Sequence, residues 1–288
     1  MSTASDTSAL TADGTAAYKQ QVDAAASALP GLDASSPTVG LLRDVDLDGL
    51  FGAGTVQHTV PYDALPHYPA SDGAVTIGTL GDTQVVDLPQ DLHLYEGHTP
   101  REVTFPVRML ATAGVGTLML AAPAGGVTSQ VEQGALMLLT DHINFQGHNP
   151  LVGPNVEAWG PRFPDMTEPY DASLRRRASE AARAEGLSLQ KGIYLGLLGP
   201  HRETTAEHRM ARRLGADAVG TGVVPEVIAA RHMDVEVLAL TLLTTQHLTD
   251  GHTPGSSPSD DSVVQTGRAE MRCLLTTIVA EDARTASR

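Results

Sequence analysis

The stretch IYLGLLGPHRETTAEHRMARRLGADAVGTGVVPEVIAARHMDVEVLALTLL (193–243) decides the fold. Its first apolar run, 193–198, reads as a strand ended by Gly199-Pro200. Residues 204–214 then carry helical spacing, and 218–220 form a strand edge. A second helix spans 225–233 and opens on Pro225, where the missing N–H costs nothing. A third apolar run, 235–243, is again a strand. Strands alternating with helices imply a mostly parallel sheet covered on both faces, which is the α/β class.

Working outward, 172–185 is a strong helix stopped by Gly186, and 144–170 is a long ordered loop rich in Gly, Pro and Asn. Buried strands are expected at 117–121, running into Gly125-Gly126, and at 135–139. Residues 103–113 look like one helix closed by Gly114. Strands at 75–80 and 84–88 flank Gly81-Asp82, a hairpin signal. A short strand lies at 39–42, an Ala-rich helix at 15–29, a polar loop at 249–261 and a last helix at 262–279. No composition break marks a linker. The expected organisation is an N-terminal extension and helix over 1–36 and a single domain over 37–284.

The chain has 288 residues, 41% of them hydrophobic, and 19 Lys+Arg against 34 Asp+Glu, a net charge of −15. That balance opposes nucleic-acid backbone, which needs clustered cations, and anionic membrane surfaces. The one cysteine, Cys273, allows no intrachain disulfide and is expected buried in the last helix. No apolar window is long enough for a membrane span, and the first residues lack a basic-then-apolar pattern, so a cytoplasmic protein is the expectation.

From Tyr95 onward the sequence resembles the trimeric purine nucleoside phosphorylase family, which includes methylthioadenosine phosphorylases. The resemblance rests on YEGHTPREVTFPVRML (95–110), AGG (124–126), DHIN (141–144), NPLVGPN (149–155), RFPDM (162–166), GPHRETTAE (199–207) and LGADAVGTGVVPEVIAARH (214–232). It implies the nucleoside phosphorylase fold: a central mixed sheet, partly closed into a barrel, with helices around it. It also implies cleavage of a purine nucleoside at its N-glycosidic bond, a homotrimer, and no cofactor. Such cleavage passes through an oxocarbenium-like transition state, so the leaving base needs a hydrogen-bonding partner and the sugar needs an anion or nucleophile beneath it.

By this resemblance Glu203 is the purine-binding glutamate, and Arg202 stands where the family stacks an aromatic side chain on the base. Thr245 replaces the base-selecting Asn or Asp and cannot make its two-point contact. Tyr95 lies near the ribose with His93 beside it, Thr221 replaces a methionine near the sugar, and Phe163 matches the aromatic that reaches a neighbouring subunit's site.

The phosphate side differs. Its Gly-Ser-Gly loop reads Asp44-Val45-Asp46-Leu47-Asp48-Gly49, and its arginine is Asp91. An Asn-Ala-Ala-Gly-Gly pattern has become Ala122-Pro123-Ala124-Gly125-Gly126, and a serine has become Gly222. At an effective dielectric of about 20, two unit charges roughly 4 Å apart interact by about 4 kcal/mol, so exchanging Arg for Asp reverses a large contribution to dianion binding. The acidic loop fits half of a Ca²⁺ loop, but the Glu due at its twelfth position is Thr55, and no metal is expected.

The expectation is therefore a nucleosidase that uses water, with Glu203 assisting the base, Tyr95 and His93 at the sugar, Asp91 or Asp46 positioning the water, and Asp44 near the substrate. The alternatives are a divergent phosphorylase, a repurposed biosynthetic enzyme, or a non-catalytic nucleoside-binding relative.

Overall fold

The expected strands all occur in the computed structural model, which describes residues 11–32, 38–52, 56–90, 92–128, 131–246 and 261–286. They are β1 (Thr38–Arg43), β3 (Ala74–Leu80), β4 (Thr83–Pro89), β5 (Thr117–Gly126), β6 (Leu136–Asn144), β7 (Leu189–Gly196), β8 (Ala218–Gly220) and β9 (Glu236–Gln246). One strand was not expected, β2 (Val56–Pro61). It is an edge strand whose residues are almost all exposed, so it carries no apolar alternation for a sequence reading to detect.

The strands form one sheet in the order β2-β3-β4-β1-β5-β8-β7-β6-β9, and β9 returns to pair with β5. The strands β5, β8, β7, β6 and β9 therefore close into a five-stranded barrel, with β1 to β4 as an open wing. The sheet is mixed, as the family resemblance implies, and not mostly parallel as strand–helix alternation alone suggests. The pairs β2–β3, β3–β4, β5–β8 and β6–β9 are antiparallel. The β3–β4 pairing follows from its two-residue Gly81-Asp82 turn, since so short a link joins only antiparallel strands, and Gly81 adopts φ +60° there.

The helices are α1 (Ala12–Ser27), α2 (Pro100–Val103), α3 (Phe105–Thr112), α4 (Ala172–Ala184), α5 (Thr205–Arg213), α6 (Val224–His232) and α7 (Asp261–Ala286). The single helix expected over 103–113 is divided at Thr104, because Pro106 brings no N–H and starts a new first turn. The loop expected at 249–261 falls mainly outside the described residues.

Both faces of the sheet are covered. On β1, Leu42 joins a core with α1, α3 and α6, while Val39 and Leu41 join a second core with α4 and α7. Cys273 lies in α7 but is half-buried, not buried as expected, because it sits between the inward Met271 and Leu274. Among the described residues no helix is long and apolar enough to cross a membrane.

Candidate active site

Strand β1 delivers the chain to the loop 44–52. Its Asp-Val-Asp-Leu-Asp pattern is read by the fold as an alternation: Val45 and Leu47 are 4% and 2% exposed, whereas Asp44, Asp46 and Asp48 face outward. Val45, Leu47, Leu50 and Phe51 pack into the core that contains Met271, Leu274 and Leu275 of α7. This anchoring separates the acids. Asp44 lines a pocket with Arg43, Gln90, His93, Ala121, Gly222, Val223 and Glu226. Asp46 and Asp48 line a different recess, against Gln265, Arg268 and Arg272 of α7.

The first pocket sits beyond the carboxyl ends of β1 and β4, the usual place for a ligand in such a sheet. His93 is buried, and its Nε2 lies 3.1 Å from Asp44 Oδ2. Glu96 accepts from the His93 backbone N–H at 3.1 Å and places Oε2 3.5 Å from the ring's Nδ1. Burial is the largest influence on the imidazole and lowers its pKa. The neighbouring Asp44, Glu226 and Glu96 together outweigh it, so the pKa is raised. His93 thus favours the imidazolium, with a carboxylate already beside it.

Arg43 is also committed. It forms a two-point ion pair with the buried Asp87, Nε to Oδ1 at 2.8 Å and Nη2 to Oδ2 at 3.1 Å. Gln90 and Glu226, both buried, form the inner wall, where Gln90 Nε2 donates to Glu226 Oε1 at 2.7 Å. Burial pushes the Glu226 carboxyl up to about 7. Glu226 Oε2 and Gln90 Oε1 are buried and have no hydrogen-bond partner among the described residues. Val223, which enters α6 beside them, holds φ +72°, a conformation β-branched residues rarely adopt and one that concentrates at functional sites.

On the other side of His93, its ring stacks on Tyr95 at 4.9 Å. Tyr95 is 37% exposed and reaches the loop after β7. A Cβ on Gly199 would stand 2.9 Å from Thr221 Cγ2 and 3.5 Å from Tyr95 Cδ1, so these three residues meet. The Thr221 carbonyl accepts from Gln146 Nε2 at 2.7 Å, which fixes the turn after β8. The same loop runs from Gly199 to Glu203, whose mostly covered carboxylate lies 3.7 Å from His208 Nε2. Arg202 is exposed next to it. Thr245 sits on β9 opposite Gly125, with Oγ1 3.1 Å from where a Gly125 Cβ would be.

Other residues singled out from sequence lie elsewhere. Phe163 is 87% exposed and lines a separate depression with His142, Leu151, Val152, Met166 and Ile228. Asp91 lies outside the described residues. Among those described, no group of His, Cys, Asp and Glu side chains is arranged to hold a metal. Gln90 and Glu226 were missed. Their contact joins positions 136 residues apart, and an acid in the first turn of α6 looks like ordinary helix-dipole compensation.

This arrangement, a stacked His–Tyr pair beside a glutamate-bearing loop on a barrel-and-wing sheet, has clear counterparts. Residues 49–280 match the model of the family described as the phosphorylase superfamily. The chain belongs to the phosphorylase superfamily. It is 39% identical over 233 residues to purine nucleoside phosphorylase 1 of Bacillus subtilis, covering 78% of this chain and 85% of the relative. To the purine nucleoside phosphorylase of Bos taurus it is 39% identical over 242 residues, 81% of this chain and 83% of the relative. A Schistosoma purine nucleoside phosphorylase solved with hypoxanthine superimposes with a TM-score of 0.82 at 34% identity, covering 91% of this chain and 96% of the other. The fold of the superfamily member described above is therefore that of its purine nucleoside phosphorylase relatives.

Proposed function

We propose that the protein cleaves the N-glycosidic bond of a purine nucleoside in the cleft between His93, Tyr95, Thr221 and Glu203. The observation that carries this is the convergence of Tyr95 and Thr221 on the Gly199 loop that also bears Glu203. Support comes from relatives named purine nucleoside phosphorylases and from Schistosoma enzymes solved with hypoxanthine, inosine and adenosine. As the bond breaks, negative charge grows on the purine and positive charge on the sugar. Glu203 accepts a purine N–H, or donates when protonated. Tyr95 lies against the sugar, with the His93 ring stacked behind it.

Phosphate is the acceptor that the names of the relatives favour. A specific observation favours water as the second reading. The pocket beside His93 contains Asp44 and Glu226 as acids, while its arginine is paired with Asp87. Gln90 Oε1, a buried acceptor with no donor among the described residues, calls for a ligand that brings a hydrogen. In the hydrolytic course the water oxygen bonds to C1′, its proton passes to Asp44, and the purine departs with the bond's electron pair. Asp44 is better placed for this than Asp46, which faces α7.

Purified protein is incubated with inosine, adenosine and methylthioadenosine, with and without phosphate, and free base is measured. Release only with phosphate makes the enzyme a phosphorylase, and equal release without it makes it a nucleosidase. No release from any nucleoside refutes the proposed activity. A homotrimer is proposed as the active form. Phe163, Phe145 and Val152 leave 87%, 52% and 58% of their surfaces in solvent, apolar area that a second copy would cover. A monomer mass in light scattering would refute it.

A further inference from the structure

Away from the cleft, Arg108 on α3 is 3% exposed. Its guanidinium lies over the Trp159 ring, 4.4 Å from the centroid, and its Nη1 is 3.2 Å from His232 Nδ1. The protonation of that partner follows from its neighbours. Asn155 Nδ2 donates to the Gly160 carbonyl at 2.9 Å, which turns Asn155 Oδ1 toward His232 Nε2 at 3.1 Å. His232 therefore carries its proton on Nε2 and offers Nδ1 as a neutral acceptor. Burial first, and then Arg108 itself, lower the pKa of this histidine, so it stays neutral.

A second guanidinium, Arg101, lies over the Tyr18 ring at 5.3 Å. It donates to Thr15 Oγ1 at 2.8 Å and to the Gly14 carbonyl at 3.5 Å. Tyr18 spends its hydroxyl proton on the Arg101 carbonyl at 2.7 Å. Every one of these partners is neutral. Neither arginine forms an ion pair with a described carboxylate. The nearby acids are engaged elsewhere: Glu102 accepts from the Thr99 N–H and hydroxyl, and the exposed Glu157 accepts from Asn155 Nδ2.

A buried cation without a counter-ion is costly, and stacking on an indole offsets only part of that cost. Burial pushes Arg108 down to about 10, so it remains charged at neutral pH. Both arginines line one recess together with Thr15, Tyr18, Asn155, Trp159, His232 and further residues of the 150–156 loop. We infer that this recess between α1, α3 and the 150–156 loop binds a small oxyanion, a carboxylate or a tetrahedral phosphate or sulfate, between Arg101 and Arg108. Guanidinium forks suit such oxygens. The chain's net charge of −15 disfavours large polyanions, which would meet many of its acids at once.

Trp159 is the chain's single tryptophan, so its emission reports on this recess alone. Sodium sulfate and, separately, sodium acetate are titrated at constant ionic strength balanced with sodium chloride. A saturable change in Trp159 emission is expected with at least one of them, and the responding salt says whether tetrahedral or carboxylate oxygens are preferred. In Arg101→Gln, a change at a half-buried site, the midpoint should move to at least tenfold higher concentration. Arg108→Met, checked for folding by circular dichroism, should lose the response. No saturable change with either salt, or the same midpoint in wild type and Arg101→Gln, overturns the inference. A selenate soak supplies a second measurement: an anomalous peak between the two guanidiniums supports the site, and an empty recess counts against it.

Discussion

Replacing Glu226 with glutamine should stabilise the protein at alkaline pH and leave it nearly unchanged in acid. Glu226 is 4% exposed, and burial lifts its carboxyl from an ordinary 4.5 to about 7. Between those values the folded chain holds a proton that the unfolded chain has released. Stability must then fall as pH rises through this window, because the native state binds more protons than the unfolded one. A displacement of that size corresponds to roughly 3 kcal/mol once pH exceeds 7, at about 1.36 kcal/mol per pKa unit. Glutamine keeps the acceptor that Gln90 Nε2 uses at 2.7 Å and carries no charge to desolvate. Urea denaturation of wild type and Glu226→Gln from pH 4.5 to 8.5 checks this. The stability difference should start near zero or at a small constant offset and grow by roughly 3 kcal/mol, a gain in melting temperature on the order of 5 °C for a chain of this size. A difference that does not vary with pH would show that Glu226 is ionised in the fold, and the account of a carboxyl protonated by burial would be wrong.

Asp44→Asn should lower the His93 pKa, since the hydrogen bond and charge of Asp44 are the largest influences that oppose burial. The histidine ring resonances in an NMR titration, assigned with His93→Gln, test this, and an unmoved midpoint would remove Asp44 as the cause. Arg43→Met strands the buried Asp87 carboxylate and should cost about 3 to 5 kcal/mol in urea unfolding. Adding Asp87→Leu should restore most of that loss, and a double variant as unstable as the single would refute the explanation. Glu203→Gln should slow base release by about 100-fold or more with an unchanged melting temperature, the range for loss of a positioned acid–base group. An unchanged rate would take Glu203 out of the chemistry.

What could be read from sequence was whatever short-range patterning encodes. The alternation of strands and helices from 193 to 243, the Gly81-Asp82 hairpin and the Pro225 helix start all rest on neighbours within a few residues, and each appears in the structure. The exposed edge strand β2 has no such pattern and was missed. Closure of the barrel depends on β9 pairing with both β5 and β6, a long-range choice that only the family resemblance implied. The candidate site divides in the same way. The residues around Tyr95, Thr221 and Glu203 come from contiguous motifs. In sequence the acidic loop is one cluster, yet the burial of Val45 and Leu47 sends Asp44 to His93 and turns Asp46 toward α7. The Gln90–Glu226 wall exists only because two distant segments meet.

The same anchoring has a kinetic consequence. Detaching the 44–52 loop would expose Val45, Leu47, Leu50 and Phe51 together, and each such side chain is worth roughly 1.5–3 kcal/mol when fully buried. Local opening of this segment is therefore rare compared with that of an ordinary Gly-rich loop. The wall carrying Asp44 is already in place before any substrate arrives. Its ordering entropy has been met during folding, and association at this face should proceed as a single-step encounter, with a rate proportional to ligand concentration and no plateau from a preceding loop closure.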